Sequence, residues 1–386
     1  MKRKVCVIIT ARASYARLKN LLIAIKEHKN LLLQIITTCS ANSEDFGNVS
    51  KIIEKEGFTI NEKIFSHIKG ETLETSVKTT GKTLIKLATV LKKLRPDIVV
   101  TNGDRYETIA NAIAATYMNI PLAHIQGGDV TGNIDEKVRH AITKLADIHF
   151  ATSQTSYKRL LLLGENPDKV FMFGCPSIDQ IKDLYGISKL DFDPIKKYKG
   201  FGTLTNMPKK YYVIMQHPTT TDIQNTKKNI ETTLNIIPKL KHPVFVFLPN
   251  PDASAKIIDK SIKNFCEKNP QLKVYFFHNM EPLDFIKFIY LGECLIGNSS
   301  VGIRECAYLG VPVINIGDRQ KDRERGANVI DVPYDTEAIC EAITLWKNKG
   351  RPKQSFVYGN GHASQKIADT LATIELSFQK KLTYNV

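Results

Sequence analysis

The sequence predicts an α/β chain built as two Rossmann-like domains facing a cleft. Three observations point there. The chain has 386 residues, too many for one core of ordinary size, so two domains are expected. Short β-branched runs alternate with stretches of helical period through both halves, the pattern of parallel strands buried on both faces with helices between them. A segment of weak periodicity, residues 182–210, rich in Lys, Asp, Gly and Pro, separates the halves as a connection or an irregular insertion beside it. The predicted domains are residues 1–180 and 181–363. A last amphipathic helix, residues 364–380, is expected by fold analogy to return to the first domain.

Composition narrows the function. With 42% hydrophobic residues the chain reads as a soluble globular protein. The basic start Met1-Lys2-Arg3-Lys4 precedes an apolar run, residues 5–9, far too short for a signal peptide or a membrane span. Arg12 lies beyond it and no small-residue cleavage site follows, so the run is a first core strand. Seven scattered cysteines without a Cys-x-x-Cys predict a reducing cytoplasm and no disulfide framework. The net charge of +15 suits nucleic acid, a membrane surface or an anionic substrate. Lysines dispersed along amphipathic helices, with no aromatic–basic module and no Cys/His finger, favour the anionic substrate and exclude nucleic acid and membrane as expected partners. His140 and His149 are nine residues apart with no partnering motif, so no metal is expected. His149 reads as a core or strand-edge histidine.

In the first half, a strand over residues 5–10 leads into a turn holding Arg12 and Arg17, then a helical pattern over 18–25. No Gly-x-Gly-x-x-Gly occurs there. A second strand covers 31–38, a long helix 72–94, and another strand 98–101. Asp104 follows that strand in Asn102-Gly103-Asp104-Arg105, where one carboxylate can both cap the next helix and do chemistry. A strand over 120–125 runs into His124-Ile125-Gln126-Gly127-Gly128-Asp129, with Gly132 close behind. These glycines allow close backbone approach to a ligand. A helix starts near Ile134-Asp135-Glu136, where acidic residues also suit the helix dipole. Residues 171–177 read as the last strand of the first domain and its exit.

In the second half, strands are expected at 212–215, 244–248, 274–277, 294–296 and 313–316. The first ends in Gln216-His217-Pro218, which puts His217 at a strand's carboxyl end, where ligands bind in such sheets. His278 ends the third. Residues 297–326 carry the densest chemistry. Gly297-Asn298-Ser299-Ser300 breaks a strand, and a helix should begin near Val301 with Ser299 or Ser300 as N-cap. That makes an anion site of hydroxyls and N–H groups. A strand ending in Gly317-Asp318-Arg319-Gln320 lies beside it, and Arg with hydroxyls suits a diphosphate. A cap and a solvated Arg/Asp loop are the structural alternatives.

These motifs resemble the hydrolysing UDP-N-acetylglucosamine 2-epimerases of bacterial sialic- and legionaminic-acid pathways and the epimerase half of the animal bifunctional enzyme. The resemblance rests on Gly-Asn-Ser-Ser-x-Gly-x-x-Glu, on Pro-Val-Ile-Asn-Ile-Gly-x-Arg-Gln-x-x-Arg, on Gln-His-Pro-x-Thr-Thr-Asp at residues 216–222, and on Pro-Asn-x-Asp-Ala at 249–253. It rests also on His-Ile-x-Gly-Gly-x-Val-x-Gly-x-Ile-Asp-x-x-x-Arg-His-Ala-Ile-Thr-Lys-Leu-Ala at 124–146. It covers residues 12 to about 361 and implies a GT-B-like arrangement and a homodimer. It implies that Arg12, His217, Ser299, Ser300 and Arg319 meet a nucleotide diphosphate; Arg17, from its place in the first turn, is a further substrate-binding candidate. Glu305 would hold ribose hydroxyls, and His278 would lie near base and ribose. Asp104, Asp129 and Asp135 would transfer protons and stabilise positive charge at C1. Many relatives carry a catalytic Glu where this chain has Gln126, and an amide cannot ionise; Asp129 is the candidate to serve instead. The implied reaction is hydrolytic 2-epimerisation of a nucleotide-linked 2-acetamido sugar, without a cofactor. The competing readings are a non-hydrolysing 2-epimerase, a GT-B glycosyltransferase and a sugar-nucleotide binding protein.

Overall fold

The computed structural model describes residues 2–70, 72–103, 105–131, 134–219, 222–249 and 255–383. The chain divides into two compact units. Unit 1 comprises residues 1–130, 134–180 and 358–386, and unit 2 residues 131–133 and 181–357.

Unit 1 is built on seven strands: β1 (Arg3–Ile9), β2 (Leu31–Thr37), β3 (Glu62–Lys63), β4 (Ile98–Asn102), β5 (Leu122–Ile125), β6 (Ile148–Ala151) and β7 (Val170–Met172). All pair in parallel, in the order β3-β2-β1-β4-β5-β6-β7. β1 shows why the apolar run is continuous. Val5, Val7 and Ile9 face a core with helices Arg12–Glu27 and Ala363–Thr373. Cys6 and Ile8 face the opposite core, with helices Leu73–Leu94, Ile109–Tyr117 and Ile134–Leu145. A strand alternates its side chains, so burial on both faces demands apolar residues at every position.

Unit 2 repeats the plan with β8 (Gly200–Gly202), β9 (Tyr212–Met215), β10 (Val244–Phe247), β11 (Val274–Phe277), β12 (Cys294–Gly297), β13 (Val313–Ile316) and β14 (Val329–Val332). The order is β14-β13-β12-β9-β10-β11-β8, parallel except for β8. Both sheets follow the doubly wound scheme. The strand order reverses between β1 and β4 in unit 1 and between β9 and β12 in unit 2, which opens a crevice at the carboxyl ends of those strands.

Four expectations need correction. Arg12 is the first residue of helix Arg12–Glu27 and Arg17 lies inside it, not in a turn; Ala13 and Ala16 are strong helix formers, and nothing between them breaks the run. The stretch 182–210, expected without regular structure, contains β8, an antiparallel edge strand on β11. The helix after Ser299 is two short pieces, Ser300–Ile303 and Glu305–Leu309, broken at Arg304. The last helix ends at Thr373, where Ile374 turns extended. No helix among the described residues is long and apolar enough to cross a membrane.

Candidate functional site

In unit 2 the carboxyl ends of β9 and β12 meet over one side chain. The amide of Asn298 accepts from His217 N at 2.7 Å through Oδ1 and donates to His217 O at 2.8 Å through Nδ2. Asn298 is fully buried. Gly297 makes this closeness possible. A Cβ there would lie 2.1 Å from Met215 O, and its φ of +137° is open to glycine. The carbonyl of Asn298 accepts in turn from Arg319 Nη1 at 3.1 Å and Gln320 Nε2 at 3.0 Å. So β9, β12 and the loop after β13 are tied at the point where the strand order reverses.

Arg325 fixes that loop. Its guanidinium meets both oxygens of Asp331 at 2.6 and 2.9 Å and donates to Gln320 O at 2.9 Å. Arg319 is half-buried, and its Nε is buried without a hydrogen-bond partner among the described residues. That leaves a charged donor of the type a diphosphate engages. Ser299 is the N-cap, and its Oγ accepts from Val301 N at 3.5 Å. Ser300 Oγ accepts from Arg304 Nη2 at 3.2 Å. The dipole of a four-residue helix adds little, so the anion-binding capacity rests on N–H groups, hydroxyls and arginines. Glu305 is buried with Oε1 3.7 Å from Arg304 Nε. Its Oε2 has no hydrogen-bond partner among the described residues.

A small pocket opens beside His217, lined also by Gln216, Thr219, Asp222, Asn229 and Tyr334. Asp222 accepts from Asn225 and Asn229 at 2.6 and 3.2 Å. Burial raises the Tyr334 phenol above its ordinary pKa, so it stays a neutral donor, with its oxygen 3.4 Å from Asn298 Nδ2. His278 is exposed at the end of β11, two strands from β9 and so about 10 Å away along the sheet. It is not gathered with the His217 set; its ring lies 6.2 Å from that of Phe201. The Pro-Asn-x-Asp-Ala turn falls mostly outside the described residues.

In unit 1, Asp104 lies outside the described residues. Its neighbour Gly103 is held closely: Arg139 Nε donates to Gly103 O at 2.7 Å, and a Cβ on Gly103 would sit 2.1 Å from His124 Nε2. Arg139 is buried, and its Nη1 donates to Asp129 O at 3.1 Å. Asp135 is half-buried in the first turn of helix Ile134–Leu145.

Gln126 takes φ +67°, unusual for a residue with a side chain and costing about 1 kcal/mol. It is buried, and its Nε2 donates to Cys175 Sγ at 3.6 Å. Asp129 is buried too, and its Oδ1 accepts from Thr152 Oγ1 at 2.7 Å and Ser156 Oγ at 2.6 Å. These hydroxyls flank the N-cap Ser153 of helix Gln154–Leu162, which gives the carboxylate a structural task. Among the described residues no cluster of three His, Cys, Asp or Glu can hold a metal.

The sequence reading singled out the serines of Gly-Asn-Ser-Ser and passed over Asn298, Gln320 and Tyr334. A signal for Asn298 existed: an amide directly after a strand-ending glycine, between two runs that a doubly wound sheet makes neighbours.

Comparison with known proteins follows the same lines. A Campylobacter jejuni protein named GDP/UDP-N,N'-diacetylbacillosamine 2-epimerase (hydrolyzing) is 36% identical over 332 residues, 86% of this chain and 84% of that one. A Legionella pneumophila protein named UDP-N,N'-diacetylbacillosamine 2-epimerase (hydrolyzing) is 30% identical over 98% of both chains. Among solved structures, the Methanocaldococcus jannaschii UDP-GlcNAc 2-epimerase in complex with UDP-GlcNAc and UDP superposes with a TM-score of 0.77, at 22% identity, over 95% of this chain and 99% of that one; at that identity the likeness speaks for the fold. A family model described as UDP-N-acetylglucosamine 2-epimerase matches residues 23–372, and the chain belongs to that family.

Proposed function

We propose that this protein is a hydrolysing 2-epimerase of a nucleotide-linked 2-acetamido sugar, with UDP- or GDP-N,N'-diacetylbacillosamine or UDP-N-acetylglucosamine as donor. The likeness over most of the chain to two proteins named as hydrolysing 2-epimerases carries the reading.

The chemistry assigns tasks to the two sets of side chains. The C2 hydrogen is not next to a carbonyl, so its removal must accompany loss of the leaving group. A base takes the C2 proton, the C1–O bond breaks, and the nucleoside diphosphate leaves with the electron pair. A 2-acetamidoglycal remains. Water then adds across the double bond, its oxygen to C1 and a proton to C2 from the opposite face. The products are the free manno-configured sugar and the nucleoside diphosphate. Departing diphosphate needs fixed cations and donors, while positive charge at C1 needs carboxylates. In this reading Arg12, His217, Ser299, Ser300 and Arg319 serve the diphosphate and Glu305 the ribose. Arg17 and His278 are the outer contacts with the nucleotide. Asp104 and Asp135 move protons. Gln126 orients the sugar without ionising, and Asp129 anchors the loop.

A cytoplasmic place in nonulosonic (sialic or legionaminic) acid synthesis goes with this reading. So does a homodimer, supported by the apolar stripe that Leu73, Val77 and Ile85 expose on helix Leu73–Leu94, at 63%, 73% and 75%. Offering the three donors separately and measuring nucleoside diphosphate release tests the activity. Release with one of them is expected, and none with any would refute the reading.

A further inference from the structure

Unit 1 holds a buried charged cluster that the reaction above leaves unused. Glu165, 2% exposed, receives His149 Nε2 at 2.9 Å, Lys144 Nζ at 2.7 Å and Lys380 Nζ at 2.5 Å. Lys380 comes from the segment that follows helix Ala363–Thr373. That segment is bound at several points: Lys169 Nζ donates to Glu375 O at 2.8 Å, and Thr383 N and Oγ1 donate to Gly164 O at 3.2 and 3.1 Å.

The ammonium of Lys380 also donates to Thr143 O at 2.8 Å and Ala146 O at 2.5 Å. Thr143 is in the last turn of helix Ile134–Leu145 and Ala146 directly follows it; the helix leaves carbonyls open at this end, and a cation is favoured there. The other end of this helix, about 16 Å away, carries Asp135. Between them Arg139 grips Gly103 O and Asp129 O. Thr143 Oγ1 is bonded to His124 Nδ1 at 3.3 Å, and the His124 ring fills the space against Gly103. One helix thus carries or braces each unit 1 element assigned to proton transfer.

We propose that Lys380 is a positioning residue for proton transfer: it locks the carboxyl end of helix Ile134–Leu145 and thereby fixes Asp135 and the loops at Gly103 and Asp129. The proposal rests on the epimerase reading. Lys380 touches no reacting atom. It acts through the helix, and a shift of about 1 Å at catalytic groups can cost orders of magnitude in rate.

The test compares Lys380→Met with the double variant Lys380→Met/Glu165→Gln. The single variant leaves Glu165 paired with Lys144 and His149; the double variant removes the Lys380–Glu165 pair as a unit, and both leave the helix end unlocked. Expected for the double variant are a kcat at least about tenfold lower, an unchanged Kd for UDP, and faster amide exchange in residues 134–145 but not in unit 2. A double variant with wild-type kcat and wild-type exchange would overturn the proposal. If the wild-type protein turns over no nucleotide sugar, the epimerase reading fails separately, and unchanged exchange in residues 134–145 still overturns the lock.

Discussion

Asn298 shows how much one buried amide organises. It ties β9 to β12 and lends its carbonyl to Arg319 and Gln320. Replacing Asn298 by Ala removes the two buried hydrogen bonds that hold His217 N and O to it, at a cost of about 2–4 kcal/mol. Calorimetric titration should show UDP binding weakened roughly tenfold or more; binding at wild-type strength would mean the amide does not organise the anion site. Asp129 separates two roles cleanly. Asparagine keeps an oxygen for Thr152 and Ser156, so Asp129→Asn should retain kcat within about threefold, while Asp129→Ala should lose about 2 kcal/mol of stability. A collapse of kcat in the asparagine variant, at unchanged melting temperature, would make Asp129 the base. Gln126 carries backbone strain, so Gln126→Gly should melt no lower than the wild type yet turn over more slowly; equal turnover would show that the amide does not serve the sugar. At this scale the sequence was legible where a residue's chemistry is local. His217 and Arg319 stand at strand ends that periodicity alone locates. Asn298 was not, because its partner is 81 residues away and meets it only through strand order.

At the scale of elements, the strands were the most readable part. Residues 212–215, 274–277 and 313–316 were expected as strands and are strands with those limits, because continuous apolar runs bounded by polar turns leave little choice in a parallel sheet. β8 escaped notice because its three residues include two glycines and lie at an edge. The break at Arg304 escaped because the apolar pattern continues through it. The interior of unit 1 sets a pH dependence that no pattern reveals. Burial, and then neighbouring positive charge, holds His124 well below its ordinary pKa of 6.5. Burial also lowers His149, against the pull of Glu165. Burial raises Glu165, but His149, Lys144 and Lys380 outweigh it and bring it to about 2. All three values are depressed in the folded state. Their stabilisation is present above the unfolded values and drains as pH falls, first below 6.5 for the histidines and then below 4.5 for the glutamate. Calorimetric scans at pH 7.5 and pH 5 should therefore show a lower transition temperature at pH 5. A transition that does not move would contradict the buried, neutral histidines.

For the whole molecule, two doubly wound sheets that share a six-strand core order bring candidate residues to the carboxyl ends of strands in both units. The sequence carried the fold class through alternation and length. It carried the family through motifs that span nearly the whole chain. It did not carry the identity of the sugar, because C4 and C6 substituents are read by pocket shape rather than by any motif. In the proposed reaction the nucleotide is lost while C2 inverts. Its most direct test is an NMR time course in deuterated water with UDP- and GDP-N,N'-diacetylbacillosamine and UDP-N-acetylglucosamine offered in turn. A free manno-configured sugar carrying deuterium at C2 is expected, formed together with the nucleoside diphosphate. A C2-inverted sugar still joined to its nucleotide would contradict it and make the protein a non-hydrolysing epimerase.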